Sequence, residues 1–199
     1  KRVKHLTRSI EQGWSPQCEG FPVESDDEWG VLKVGCVNGG TFNPNENKVL
    51  PATLDPIPEL SILTDDLLIS RANTRELVGS AAVALRDYPN LLLCDKLYRL
   101  RLDRTSVLPR FLALYLSSTA ARNPIEIAAS GASASMVNIG QTVILDLELA
   151  LPPIDEQIAV ATNVDREIAK LDALVAEAER AIELLQEHRT ALISAAVTG

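Results

Sequence analysis

Hydrophobic positions follow two different periods in the two parts of this chain. Before residue 154, short apolar runs alternate with turn-forming residues, which is typical of strands. The predicted strands cover residues 31–37, 66–72, 78–85, 96–102 and, as the last of them, 144–149. In the run at 96–102, Tyr98, Leu100 and Leu102 fall on one face, whereas Leu97 shares the other face with Arg99 and Arg101.

Turn and helix signals separate these strands. Residues 39–47 (GGTFNPNEN) predict a loop, and the Asn-Pro pairs at 43–46 and 123–126 predict turns. At 109–119, a proline precedes apolar residues spaced by three and four, so this segment predicts a helix. The expected fold class is α+β, a mixed α/β body, over residues 1–151.

The C-terminal part has a helical period instead. From Ile154 to Thr198 there is no Gly or Pro, and apolar residues recur in alternating steps of three and four. This spacing predicts one long helix with a coiled-coil seam over five heptads. The seam consists of Ala161, Val164, Ile168, Leu171, Val175, Ala178, Ile182, Leu185, Arg189, Leu192 and Ala196, in which only Arg189 is not apolar.

A seam of this length needs a partner helix, because it would otherwise leave Leu, Ile and Val in water. The partner is expected in the same chain or in another one. A helix that folds back on the body, or breaks into a hairpin, is the alternative. Residues 152–199 are therefore expected to form a long coiled-coil dimerisation helix, with Pro152-Pro153 at its start.

Charge is distributed unevenly. The net charge is −8, which does not suggest a nucleic-acid binder. However, residues 154–199 contain nine acidic and four basic residues (net −5), whereas residues 71–122 contain nine basic and four acidic residues (net +5). A basic middle segment of this kind is compatible with phosphate binding, and equally with an ordinary solvated face.

Motifs for catalysis are missing from the sequence. The three cysteines have no C-x-x-C spacing and the two histidines are far apart, so neither a zinc site nor a disulfide framework is expected. The chain contains neither a P-loop nor a G-x-G-x-x-G motif. The Asn-Pro pairs lack the aromatic residue with which an amino-methyltransferase stacks a flipped base. We therefore predict a protein that is not an enzyme, without metal or cofactor, located in the reducing cytoplasm.

Planar polar side chains offer another kind of chemistry. Arg can pair bidentately with guanine and Asn with adenine, and both residue types occur close together at 70–76 (SRANTRE) and beside the Gly-rich loop. A small-residue loop at 130–138, with Ser130, Ser133, Ser135 and Asn138, would let backbone N–H groups approach phosphates. The residues predicted to face DNA are Lys33, Asn38, Thr41, Arg71, Asn73, Arg75 and Lys96.

The sequence strongly resembles a known family. LPPIDEQ (151–157) and the terminal LISAAVTG (192–199) resemble the helical region of the specificity subunits of type I restriction–modification enzymes. The segments at 13–19, 29–51, 66–79, 89–101 and 130–141 resemble one of that family's target-recognition domains, in the usual order. The resemblance covers essentially the whole chain.

The resemblance implies a non-catalytic subunit that recognises DNA. In that family a target-recognition domain reads one half of a bipartite target, and two long helices pair antiparallel as a spacer that also docks methyltransferase (modification) subunits. S-adenosylmethionine, ATP and Mg are then expected on partner subunits, including the restriction subunits, and not on this chain. One domain and one helix make this chain a half, either a natural half-subunit or a truncated piece.

Two interpretations follow. In the first, two chains pair as a homodimer through Val164, Ile168, Leu171, Val175, Ile182, Leu185 and Leu192, or a missing second half supplies the second helix. A symmetric pair would read an interrupted palindrome. In the second, the chain is a coiled-coil scaffold whose α/β head binds a protein. No apolar stretch long enough to span a membrane is present.

Overall fold

The structure is a computed structural model that describes residues 1–25, 27–133 and 136–199. Contacts between residues divide the chain into two compact units, Lys1–Ile158 and Ala159–Gly199. Ser135, one of the residues of the predicted small-residue loop, lies outside the described residues.

A four-stranded antiparallel sheet, here called the central sheet, organises the first unit. Its order is β1 (Thr7–Gln12), β9 (Leu97–Leu102), β5 (Leu67–Ser70) and β7 (Ala81–Val83). The strands predicted at 66–72, 78–85 and 96–102 are confirmed, with shorter bounds. The outer strand β1 was not predicted, because its sequence TRSIEQ contains a single apolar residue.

A second four-stranded sheet has the order β3 (Asn47–Val49), β2 (Gly30–Leu32), β8 (Tyr88–Leu92) and β4 (Ser61–Ile62), with β2 and β8 parallel. The strand predicted over 31–37 is wrong after Leu32, because a 3-10 helical segment, Val34–Gly40, follows. Its consecutive residues Cys36 and Val37 are both fully buried. Consecutive side chains of a strand point to opposite faces, whereas a tight turn can bury both against one core.

A third, smaller sheet is connected to the 3-10 segment Val34–Gly40 by a hydrogen bond between side chains. It contains β10 (Ser130–Ser133), β11 (Met136–Asn138) and β6 (Ala72–Asn73), paired antiparallel in that order. The small-residue loop predicted at 130–138 is therefore wrong over its described part, which forms a hairpin. Gly131 allows this pairing, since a Cβ there would lie 2.5 Å from the Met136 carbonyl oxygen.

Helices α1 (Pro109–Ser117), α2 (Thr119–Ala128) and α3 (Gln141–Leu145) cover one face of the central sheet. The helix predicted at 109–119 is confirmed as α1. The turn predicted at 123–126 is wrong, because Pro124 lies inside α2. Ala121 and Ile125, one helical turn apart, are both fully buried, and this burial offsets the cost of an interior proline, about 3 kcal/mol.

The last predicted strand, 144–149, is also wrong. Its first two residues end α3, and its remainder makes a single isolated bridge between Glu148 and Arg2. Ile144, Leu147 and Leu149 are all buried in one core. A helical turn followed by an extended segment can direct all three inwards, although the alternating sequence is typical of a strand.

The central sheet separates two hydrophobic cores. The helix-side core includes Leu67, Ile69, Leu100, Leu112 and Ile125 and lies between this sheet and the helices. The sheet-side core lies between the central and second sheets and includes Leu68, Ile62, Leu92 and Leu97. The two faces predicted for 96–102 are confirmed, because Tyr98, Leu100 and Leu102 belong to the helix-side core and Leu97 to the other.

The fourth helix, α4 (Ile154–Thr198), is continuous over 45 residues, or roughly 67 Å at 1.5 Å per residue. The predicted long helix is confirmed. Within this single chain, Leu171, Leu185 and Leu192 of the predicted seam are 61%, 68% and 58% exposed. None of the described helices is both long enough and apolar enough to cross a membrane.

Candidate nucleic-acid interface

Four of the seven residues predicted to face DNA form two hydrogen-bonded pairs around β6, Asn38 with Asn73 and Arg71 with Lys96. We call these residues, Asn38, Arg71, Asn73 and Lys96, the polar cluster. Asn73 ends β6, and Arg71 directly precedes that strand. The Arg71 N–H donates to the Lys96 carbonyl oxygen at 2.9 Å, and the Arg71 carbonyl oxygen accepts from the Ile139 N–H at 3.0 Å. The backbone thus fixes the cluster at the junction of the central and third sheets.

Two asparagine side chains meet in this cluster. The Asn73 Nδ2 group donates to Asn38 Oδ1 at 3.4 Å, and Asn73 Oδ1 accepts from the Thr74 backbone N–H at 2.9 Å. Asn38 is exposed and Asn73 half-buried. Amide groups that are held in this way and remain accessible can present a defined set of donors and acceptors to a base edge.

Arg71 is held more tightly. Its Nη1 donates to the Asp95 carbonyl oxygen at 3.2 Å, and its guanidinium lies 5.8 Å from the centre of the Tyr98 ring. Tyr98 is itself buried and donates its hydroxyl hydrogen to the Ile139 carbonyl oxygen at 3.0 Å. The Arg71 Nε atom is buried without a hydrogen-bond partner among the described residues. This positive, half-buried group is therefore oriented by its surroundings before any ligand binds.

The 3-10 segment Val34–Gly40 places Asn38 beside Asn73. Lys33 precedes the segment and is half-buried, and Thr41 follows it and is exposed. Gly39 and Gly40 have φ values of 77° and 78°, which favour glycine, so the chain can reverse directly after Asn38. Arg110 of α1 donates to the Gly40 carbonyl oxygen at 2.9 Å and anchors this reversal. Lys33 and Thr41 lie at the two ends of this segment. Among the described residues, neither of them has a hydrogen bond to the polar cluster.

Arg75 lies apart from the polar cluster. Its Nη1 donates to the Glu126 carbonyl oxygen of α2 at 2.8 Å. The Arg75 carbonyl oxygen in turn accepts from the Arg122 guanidinium. Arg75 therefore links its loop to α2, and its role toward DNA remains a prediction.

The basic middle segment is largely neutralised by ion pairs that the sequence does not reveal. Arg99 and Arg101 pair with Glu11 and Asp66, which lie outside this segment. Two further pairs are Arg104 with Asp65 and Arg122 with Glu126. The excess of positive charge at 71–122 is therefore a weaker argument for phosphate binding than the sequence suggests.

Arg99 is the centre of the largest of these networks. It is 0% exposed and donates to the Ser61 and Glu59 carbonyl oxygens at 2.7 and 2.9 Å, as well as to Glu11 and Asp66. Burial raises the pKa of Asp66, an effect that the Leu63 N–H and the two arginines oppose. Arg99 therefore has a structural role, because none of its surface is available to a ligand.

Asp103 forms a separate, exposed network. It accepts hydrogen bonds from the hydroxyl groups of Thr105 and Ser106 and from the Arg8 guanidinium. The Thr105 and Arg8 hydrogen bonds are the main reason why the pKa of Asp103 is lowered to about 2. This carboxylate ties the N-terminal strand to the turn after β9.

Sequence reasoning missed the residues that position the cluster. Tyr98 was placed only on one face of a predicted strand, and Arg110 was only counted among the nine basic residues of 71–122. Neither contact has a local sequence signal, because both join segments that are far apart in the chain. Among the residues that the structure describes, no group of three or more His, Cys, Asp or Glu side chains could hold a metal ion.

Comparisons with known proteins place this arrangement in context. No family model matches the chain. Over 196 residues, it is 28% identical to the type I restriction enzyme EcoEI specificity subunit of Escherichia coli, covering 98% of this chain and 33% of that protein. The chain is thus similar over nearly its whole length to a type I restriction enzyme specificity subunit. It spans about one third of the length of the specificity subunits that it matches.

Solved structures extend the likeness to the fold. The HsdS subunit of Thermoanaerobacter tengcongensis matches 87% of this chain at a TM-score of 0.58 and 21% identity, over 37% of that subunit. A chain from a structure of the type I restriction–modification system matches 93% at a TM-score of 0.64 and 23% identity, over 42% of that chain. The mixed α/β unit and the long helix of this chain thus resemble those proteins in fold.

Proposed function

We propose that this chain is a non-catalytic DNA sequence-recognition subunit of a type I restriction–modification system. The observation that carries the proposal is the match to a specificity subunit over 98% of the chain. The first unit would read one half of a bipartite target. The polar cluster supports this role, because it combines an oriented guanidinium with accessible amides, the groups that read base edges in the major groove.

The second part of the proposal concerns helix α4. Its exposed apolar seam, including Ile168, Leu171, Val175, Ile182 and Leu185, supports pairing with a second long helix. Val164, which is half-buried, and Leu192 extend the proposed seam at its two ends. The second helix would come from another copy of this chain, in an antiparallel homodimer, or from a missing second half. Two copies related by a two-fold axis would read an interrupted palindrome.

Catalysis would belong to partner subunits. Methyltransferase subunits docked on the helices would supply S-adenosylmethionine chemistry, and restriction subunits would supply the chemistry that depends on ATP and Mg. This chain would contribute only the choice of sequence. The proposed site of action is the cytoplasm, where DNA and these subunits meet.

Methylation assays test the proposal directly. Purified methyltransferase subunit is incubated with a pool of duplexes, with and without this chain, and the modified positions are sequenced. We expect one interrupted motif to be methylated only when the chain is present. Methylation that is the same in both reactions would refute a recognition role.

Duplex binding as a function of salt separates this function from the scaffold alternative. Contacts to phosphates release counterions, so the affinity should fall steeply as the salt concentration rises. If no duplex pool binds even with methyltransferase subunit present, the coiled-coil scaffold with a protein-binding head is the better explanation.

A further inference from the structure

The two asparagines of the polar cluster form a chain of hydrogen bonds with a defined direction. It starts at the Thr74 backbone N–H, passes through the Asn73 amide and ends at Asn38 Oδ1, with donor–acceptor distances of 2.9 and 3.4 Å. Each asparagine amide has an oxygen end that accepts hydrogen bonds and an NH2 end that donates them, and a rotation of the amide by 180° exchanges the two ends. The direction of the chain therefore decides which end each amide presents to solvent.

The backbone decides this direction. A backbone N–H can only donate, so the group that faces Thr74 must be the Asn73 oxygen. The Nδ2 group of Asn73 is then the end that faces Asn38, and it can only donate as well. The Asn38 oxygen is consequently turned toward Asn73, and the Nδ2 group of this exposed side chain, with two N–H donors, is turned away from that hydrogen bond.

Both asparagines are held by backbone structure that does not depend on a ligand. Asn73 is paired with Val137 in the third sheet. Asn38 has extended φ and ψ values between the buried Cys36–Val37 pair and the two glycines with positive φ, and Arg110 anchors that reversal. Two separate segments thus meet in one amide pair, and their backbone fixes the positions from which the two amides contact each other.

We propose that Asn38 is a specificity-determining residue that presents its two amide donors to a base edge, and that Asn73 is the positioning residue that sets this polarity. The proposal rests on the proposed function of DNA recognition. Guanine, thymine and adenine each have an acceptor on the major-groove edge, whereas cytosine offers only its amino donor there. The base that Asn38 contacts on its strand should therefore not be cytosine.

Two substitutions that are equal in charge test this polarity. In N38D, one carboxylate oxygen accepts from Asn73 and the other faces the base. In N73D, one oxygen keeps the Thr74 N–H and the other accepts from Asn38 Nδ2, so the Asn38 amide must turn over and present its oxygen. Both variants then present an acceptor, although only one of them changes the residue that touches the base.

The control is N45D, which adds the same charge to an exposed position in the neighbouring loop. All four proteins are bound, together with methyltransferase subunit, to a duplex pool with randomised bases, and the retained sequences are counted. Thermal melts monitored by circular dichroism check that each variant is folded. We expect wild type and N45D to deplete cytosine at one position. At this position N38D and N73D should raise the cytosine-to-guanine ratio by roughly 5- to 150-fold.

The possible outcomes are distinct. If the wild type is selective and N73D has the same base preference, the proposal is overturned, because the polarity would then not come from Asn73. This holds even if N38D changes the preference. An unchanged preference in N38D overturns it as well. A wild type that selects no sequence at all refutes DNA recognition itself, and the inference fails with it.

Discussion

Replacing Arg99 with methionine tests whether this arginine is structural. Four groups accept its hydrogen bonds, and one of them, Asp66, is only 3% exposed. R99M keeps an unbranched side chain of similar length but removes one of the two arginines that pair with the buried Asp66 carboxylate, and leaves it only the partly exposed Arg101. Removing one partner of a buried ion pair costs about 3–5 kcal/mol. This is a large share of the roughly 5–15 kcal/mol that stabilises a typical domain.

Urea denaturation measures the loss. Trp14 and Trp29 pack against the sheet-side core, so their fluorescence reports the unfolding of the unit that contains Arg99. For a denaturant slope of about 2 kcal/mol per molar, a loss of about 4 kcal/mol lowers the midpoint by about 2 M. The control is R104A, which breaks an ion pair with Asp65 in which the Arg104 side chain is 69% exposed. Such a pair contributes at most about 1 kcal/mol.

The pH dependence of the stability difference between R99M and wild type is a second test. Burial already raises the pKa of Asp66 above its value in the unfolded chain, and without Arg99 the pKa should rise further. Protonation then relieves the buried charge, so the difference between R99M and wild type should shrink as the pH falls from 7 toward 5. A loss under 1 kcal/mol at pH 7, or a difference that grows on acidification, would refute the reasoning. If R99M does not fold, D66N with the same assay takes its place, and it should cost less because the amide oxygen still accepts the Leu63 N–H.

Three further predictions concern DNA binding, acid stability and assembly. R71A should weaken binding to the cognate duplex by roughly 1–3 kcal/mol, measured by fluorescence anisotropy with methyltransferase subunit present. If R71A binds the duplex as tightly as wild type does, Arg71 is not part of the DNA interface. Because the pKa of Asp103 is lowered to about 2, its contribution to stability is present above about pH 4 and lost as the pH falls toward 2. Urea midpoints of wild type should therefore drop in this range more than those of D103N, and parallel curves would contradict the assignment. Replacing Leu171 and Leu185 with glutamate should give monomers in sedimentation velocity, and a wild type that is monomeric at micromolar concentration would contradict pairing between two copies.

The part of the fold that could be predicted is the part in which one core determines the pattern. Tyr98, Leu100 and Leu102 alternate because they all face the helix-side core, and the uninterrupted period of α4 likewise reports one continuous helix. Prediction failed where a strand is held by pairing with residues distant in the chain and has no alternating apolar pattern of its own. Strand β1 contains one apolar residue, yet it forms an edge of the central sheet and supplies Glu11 to Arg99.

The candidate site shows the same limit. Residue type alone indicated Asn38, Arg71, Asn73 and Lys96 as candidates, and these four form two hydrogen-bonded pairs around β6. The sequence could not reveal that Arg75 is engaged by a helix carbonyl oxygen. Nor could it reveal that the charge of Arg99 is buried, because burial and pairing depend on segments that are distant in the chain.

The exposed apolar stripe on α4 has a consequence for the chain inside a cell. Leu174, Leu184 and Ile193 add to the seam residues that the single chain leaves exposed to water. Chaperones and proteases bind such surfaces, and they act on whatever fraction of a protein lacks its partner. Synthesis without the partner should therefore yield little of this chain, and co-expression should raise its level without any change in transcription. Quality control would then match the supply of recognition subunits to that of the subunits they direct.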